Sequence, residues 1–274
     1  MALACLTVVI LARGMPMFCA RPDWKEALIS IPLRDDAWII SKIDDVPFVG
    51  LEEMPTRVFA VDSFADGFGA TDSVIVSVPY SEAGDDHLRL IASGPRVISL
   101  TLDGTRITDA GLSHLRGMAH LRTLSLAATE ISDAGAQMLK DVPSLRHLDL
   151  RRTRLTNSSL APLVALRQLE LLNLSGTLVD GAGLTCLSKL PNLKALILDD
   201  LPLNDGDVAA LGTITSLRDV QLHGTQITAA GLAHMASLLS LDACYVDSGR
   251  LSRHDLDALR REYECECRGA GIKN

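Results

Sequence analysis

The chain has 274 residues, is 47% hydrophobic but only 4% aromatic, and carries a formal net charge of −8. That acid excess argues against general nucleic-acid binding, which draws on Lys and Arg gathered on one face. Six cysteines (Cys5, Cys19, Cys186, Cys244, Cys265 and Cys267) form no CxxC pair and are too sparse for a disulfide framework, so no metal or cofactor is expected, and Cys265 and Cys267 read as plain thiols.

Met1 to Ala12 is almost wholly apolar and is followed by Arg13. It fits a secretory signal poorly, because no Lys or Arg precedes it and Phe18 and Ala20 occupy the positions a signal peptidase would read before Arg21. It is also shorter than the ~20 residues that span a bilayer. A signal, an anchor remnant and a hydrophobic cap stay open for it, with weak membrane association as one consequence. A cytoplasmic location is favoured over membrane attachment or export. Residues 20–55, with Trp24, Trp38 and several prolines, read as a mixed capping region, and Thr56 to Val61 as a further strand.

From Val97 the chain falls into repeats of 24 residues, starting at Val97, Leu121, Leu145, Leu169, Leu193, Leu217 and Leu241 without insertion or deletion. Positions 4 and 6 are apolar in every repeat, as in Leu148 and Leu150, which is the alternation of a half-buried strand. Position 11 is apolar again, and from position 16 the spacing becomes helical, as in Leu112, Leu115 and Met118. Each repeat is therefore a short strand, a turn and a short helix. Thr108, Ser132, Thr156 and Thr228 stand where they would cap the helix, and Asp109, Asp133 and Asp205 where acid suits its positive end. Pro143 and Pro191 end it. Counting back one repeat puts Val76, Val78, Ala83, Leu88 and Ile91 on expected positions, so residues 73–96 read as a degenerate eighth repeat.

One such unit cannot bury its apolar side alone, whereas stacked units can. The pattern resembles the leucine-rich repeat, and the segments ITDAGL from Ile107 and ISDAGA from Ile131 are similar to the 24-residue repeats of planctomycete-type bacterial proteins and, more distantly, to those of F-box proteins and ribonuclease inhibitor. The resemblance implies an α/β solenoid, a horseshoe with parallel strands on the concave side and helices on the convex side. Where the family has Asn or Cys, this chain has Thr105, Thr129, Thr153, Thr177 and Thr225, whose hydroxyls can still form stacked turn hydrogen bonds. Leu201 and Gly249 break the series, and Leu201, followed by Pro202, predicts a local irregularity.

At the other end, residues 252–263 predict a highly charged last helix and Glu264 to Arg268 a short edge strand whose alternating charge discourages aggregation. The domain reading is residues 1–72 as apolar segment and cap, 73–264 as the repeat domain, and 265–274 as edge strand and tail.

No catalytic constellation emerges, so the chain is read as a non-enzyme without a small-molecule substrate. His114 and His234 repeat one outer-helix position with no ligand partner, and His147, near Asp149, Arg151 and Arg152, has no nucleophile motif beside it. Asp199, Asp200, Asn204, Asp205 and Asp207 lack EF-hand spacing and read as solvated ends of a strand and a helix. Gly104, Gly176 and Gly224 read as tight-turn glycines. What remains is the strand face, where positions 3, 5 and 7 point away from the core. Its expected binding residues are His147, Asp149, Arg151, Asn173, Ile197, Gln221 and Tyr245, with Leu171 and Ile197 as its apolar centre. The leading expectation is a scaffold that binds a protein partner. The alternatives are a substrate-recognition subunit of a ubiquitin-ligase-like complex, implied by the F-box resemblance, and an enzyme with its site near the N-terminus.

Overall fold

The computed structural model describes residues 7–11, 56–58, 73–77, 83–93, 96–232, 234, 238 and 240–246. Seven strands recur once per repeat: β4 (Arg96–Thr101), β5 (Thr123–Ser125), β6 (His147–Asp149), β7 (Leu171–Asn173), β8 (Ala195–Ile197), β9 (Asp219–Leu222) and β10 (Ala243–Val246). Each pairs in parallel with the next, one repeat on. The degenerate repeat supplies β3 (Ser73–Ser77), parallel to β4, and a helix at Asp85–Ser93. Two further strands, β1 (Thr7–Leu11) and β2 (Thr56–Val58), extend the sheet antiparallel beyond β3. The expected strand near Thr56 is thus present, and part of the apolar N-terminal stretch is a strand as well. The last predicted helix, the edge strand and most of residues 12–72 lie outside the described residues.

The core is the stack itself. Leu148, Leu172 and Leu196 succeed one another in register and are fully buried, as are Leu150, Leu174 and Leu198 two residues on. Each contributes roughly 1.5–3 kcal/mol of apolar burial, and none finds that burial without its neighbours. Helical turns, often 3-10 and short, pack one on the next behind the sheet.

The strand leaves the sheet through one repeated turn. Position 8 is left-handed in six successive repeats: Gly104, Ala128, Arg152, Gly176, Asp200 and Gly224 have φ between 54° and 69°. Glycine suits that conformation, yet three repeats hold a side chain in it. One residue later the Thr hydroxyl donates to the carbonyl three residues back, as from Thr105 to Leu102 and from Thr153 to Leu150 (both 2.6 Å). These bonds close inside each turn and do not bridge repeats. Leu201 has no hydroxyl to give; it is buried, and its carbonyl accepts the Leu203 amide.

On the helix side a polar ladder joins repeat to repeat. Asp85, Asp109, Asp133 and Asp205, at position 13, each accept both the amide and the hydroxyl of the position-12 residue one repeat on: Thr108, Ser132, Thr156 and Thr228. Ser132, Thr156 and Thr228 also cap their own helical turns, whereas Thr108 has no cap bond and the turn after it begins at Ala110. Beside the helix-dipole role expected of them, these acids fasten neighbouring repeats. The Asp-rich stretch, partly exposed as expected, takes part in similar bonds. Asp205 belongs to this ladder, Asp207 accepts from the Asn204 amide, and Asp199 accepts from the His223 amide.

Candidate functional site

The sheet register sorts the strand face into rows. Thr101, Ser125, Asp149, Asn173, Ile197, Gln221 and Tyr245 stand opposite one another across seven strands. Ser99, Thr123, His147, Leu171, Ala195, Asp219 and Ala243 form the row beside it. Five of the seven expected binding residues thus share one row, His147 lies in the adjacent row, and Arg151 lies just past the strand end. At ordinary strand spacing, Asp149 to Tyr245 covers about 20 Å. Leu171 and Ile197 are half-buried and sit diagonally on adjacent strands.

The polar members of this face are not equally free. Where a strand ends, the position-7 amide loses its sheet partner, and a side chain supplies the acceptor. Ala127 donates to Asp103, Arg151 to Asp149, Ser175 to Asn173, Asp199 to Ser175 and His223 to Asp199, at 2.8–3.1 Å. Asn173 is buried and also accepts the Ser175 hydroxyl, so its amide oxygen is committed to the fold. Asp149 is committed in part, with Oδ2 at 3.4 Å from Arg151 Nε. The half-buried set with side chains less engaged is His147, Arg151, Ile197, Gln221 and Tyr245.

Burial governs the charge of the face. Enclosure pushes the Asp149 carboxyl up to about 6, against the opposing pull of the Arg151 amide and guanidinium, and nearby Asp103 adds to the rise. Asp103 is itself raised by burial, although Ser125 and the Ala127 amide donate to it. Burial pulls the His147 imidazole down toward its neutral form, with Arg146 and Lys194 adding to that effect and Glu170 opposing it.

Further along, Asp199 Oδ1 lies 3.2 Å from His223 Nδ1, and the His223 and Tyr245 rings stand 6.4 Å apart. Asp219 is raised by burial, and its Oδ1 is enclosed with no hydrogen-bond partner among the described residues. Asp103 and Asp219 were visible as strand-face positions but not as members of the candidate set. A signal did exist: each is an acid at a strand-face position that its neighbours fill with small or neutral residues.

Among the described residues no cluster of three His, Cys, Asp or Glu could hold a metal ion, and no helix is long and apolar enough to cross a membrane. Parallel strands one repeat apart, with helical turns behind them, define the architecture, and residues 95–155 match the family model described as leucine rich repeat. The fold is a leucine-rich-repeat solenoid. Among solved structures, internalin C2 of Listeria monocytogenes is 21% identical, with 68% of this chain and 90% of that one covered at a TM-score of 0.48. An internalin of the same organism, inlF, is 18% identical, with 78% and 70% covered at a TM-score of 0.49. No curated protein matches the sequence. Leucine-rich-repeat domains serve in general as protein-interaction modules, their stacked strands offering one extended surface.

Proposed function

We propose that the chain is a non-catalytic binding module that takes a protein partner on its strand face. The observation that carries this reading is the row Asp149, Asn173, Ile197, Gln221 and Tyr245, in register across five consecutive strands and mixed in character. Such a row offers an apolar centre with polar groups around it, the composition of a protein-binding patch. Binding energy in such patches concentrates in a few residues, and Arg and Tyr are frequent anchors, which favours Arg151 and Tyr245 together with Ile197. Asn173 contributes by shaping the surface, since its side chain is occupied internally.

The test is site-specific photocrosslinking in the native host. A crosslinker replacing Gln221 or Ile197 is expected to trap a discrete protein adduct. The same group at Gln137 or Lys189, both exposed on the helix side, is expected to trap none. Equal adducts from both sides would show that the binding face has been misplaced.

A further inference from the structure

We propose that copies of this chain associate edge to edge: the basic edge of the solenoid, where helix leads into strand, docks on the acidic edge of a second copy, where strand leads into helix. The proposal rests on where the charges stand and is independent of what the strand face binds.

The strands β3 to β10 all run the same way, so the turns that enter them lie along one lateral edge and the turns that leave them along the other. The entering segments 116–122, 140–146, 164–170, 188–194 and 212–218 hold eight Lys or Arg and two acids. Both acids are answered within the edge: Glu170 by Arg146 at 3.0 Å and Lys194 at 2.8 Å, and Asp141 by Arg116 at 3.9 Å. Arg122, Lys140 and Lys189 are exposed and form no ion pair among the described residues. The leaving segments 175–183, 199–207 and 223–231 hold five acids, Asp180, Asp199, Asp200, Asp205 and Asp207, and no Lys or Arg. None of the five is paired with Lys or Arg among the described residues, and Asp199 has only the His223 ring, at 3.2 Å. A chain of net charge −8 therefore carries one strongly basic edge.

Helix ends account for part of this segregation, since cations suit a helix C-terminus and acids its N-terminus, but that preference fades within a turn. The basic row continues past the helix to the strand entrance. Arg122, Arg146, Lys194 and Arg218 all stand at position 2, and backbone bonds join Arg122 to Arg146 and Lys194 to Arg218 at 2.8 Å. Both edges are laid down by one 24-residue repeat, so their charges advance by the same step, about 4.8 Å from strand to strand. A second copy set alongside in the same orientation brings cations against acids in step. A copy turned end for end about the sheet normal brings like against like. One exposed ion pair contributes little, but a row of them adds up, and the shared negative charge of the copies disfavours other approaches. Unlike surfaces meet in this contact, so each copy keeps a free edge and growth continues past two. The strand faces of successive copies then lie side by side, which multiplies the surface offered to a partner.

Sedimentation velocity of the full chain over a range of concentrations tests the contact. At about 0.05 M salt the average mass should climb with concentration, and at about 0.5 M salt it should return to that of the monomer. Two triple variants reverse one edge each, at exposed side chains with no hydrogen bond or ion pair among the described residues. One is Arg122→Glu, Lys140→Glu and Lys189→Glu. The other is Leu178→Lys, Asp200→Lys and Gln226→Lys; Arg152 already holds a long cation at the left-handed turn position of Asp200. Each variant alone should stay monomeric. An equal mixture of the two should regain the lost mass, because each supplies the charge that the other lacks. If one variant misfolds, the other and the salt series still decide. A parent that stays monomeric at low salt, single variants that still associate, or a mixture of folded variants that does not recover overturns the proposal. Retention of the parent but not the Glu variant on immobilised nucleic acid, without self-association, would give the basic edge to a polyanion and overturn it too.

Discussion

The helix side and the strand side of the same repeats hold their carboxylates under opposite conditions. On the helix side Asp205 accepts an amide and a hydroxyl from Thr228, and those bonds hold its carboxyl below the usual range. On the strand side Asp149 receives one amide and a long contact from Arg151, and burial outweighs both. One repeat on, Asn173 accepts the equivalent amide with no charge at all. The helix-side acids therefore serve the fold by joining repeats. On the strand side Asn173 makes the bond that Asp149 makes, so the charge of Asp149 is not required for it.

The core between the two sides sets the scale. Leu172→Ala is expected to lose about 2–5 kcal/mol, the range for a buried Leu truncated in a packed core. Chemical denaturation measures it, and a loss under about 1 kcal/mol would remove Leu172 from the stacked core.

Asp149→Asn is the sharpest test of the comparison. With its folded carboxyl near 6 and an ordinary value of 3.8, the native state holds the proton more tightly than the unfolded chain between those limits. Stability from this group is then full below about 4 and falls as pH rises through about 6. The gap of about two pH units caps the loss near 3 kcal/mol. The substituted amide keeps an acceptor for the Arg151 N–H and cannot ionise, so the variant should be more stable than the parent by about 1–3 kcal/mol at pH 7 and no more stable at pH 4. A destabilised variant at pH 7 would break the contrast between the two sides.

Asp205→Ala should move the other way. Two hydrogen bonds to Thr228 are lost, and since the site is open to water the loss is about 1 kcal/mol. Because the folded carboxyl is held low, its contribution is present above the ordinary value and fades as pH falls through the folded one. Parent and variant are expected to differ in melting temperature at pH 7 and to converge in acid. A constant difference across that range would mean that the charge of Asp205 is not what joins the repeats.

The strand, the turn and the helical side were legible because each is a periodicity, and Leu148, Leu172 and Leu196 fall where that periodicity puts them. The strand-face rows followed from the register as well. The helix-side ladder was not legible from single positions, because it is a relation between position 13 of one repeat and position 12 of the next. Asp133 with Thr156 obeys it in the common form. Asn157 with Asp180 obeys it with one bond reversed: the Asn oxygen accepts the Asp180 amide as in the common form, while the Asn amide donates to the Asp carboxylate. Read one position at a time, Asn157 and Asp180 look like departures from the consensus. Read as a pair, they keep the backbone bond and exchange donor and acceptor in the side-chain bond. Which strand-face groups were already occupied, such as Asn173, also needed coordinates, since the amide each one satisfies lies at a strand end whose place the pattern does not mark to the residue.

One repeat junction allows that relation to be tested at its smallest expected effect. Between the repeats starting at Leu169 and Leu193, position 13 is Gly181, so no carboxylate reaches forward to Asn204. Asp207, standing at position 15 where other repeats have Gly111, Gly135, Gly183 and Gly231, accepts the Asn204 amide at 2.9 Å from its own repeat. The acid has crossed the junction while its place in space is kept: a Cβ built on Gly181 would run into Asp207 Oδ1 and Cβ. Elsewhere the overlap runs the other way, as at Gly135, where a Cβ would run into Asp109 Oδ1. Gly181→Asp alone should therefore crowd two acids into one site, at about 1–3 kcal/mol. Asp207→Gly alone should lose about 1 kcal/mol by leaving the Asn204 amide without its acceptor. Together the two changes rebuild the common form of the junction and should return the stability to within about 0.5 kcal/mol of the parent, a coupling well beyond what independent sites show. Denaturation of the two single variants and the double variant decides it. If the losses simply add, Asp207 is not the displaced partner of Gly181, and the ladder is a local habit of individual repeats with no rule linking one to the next.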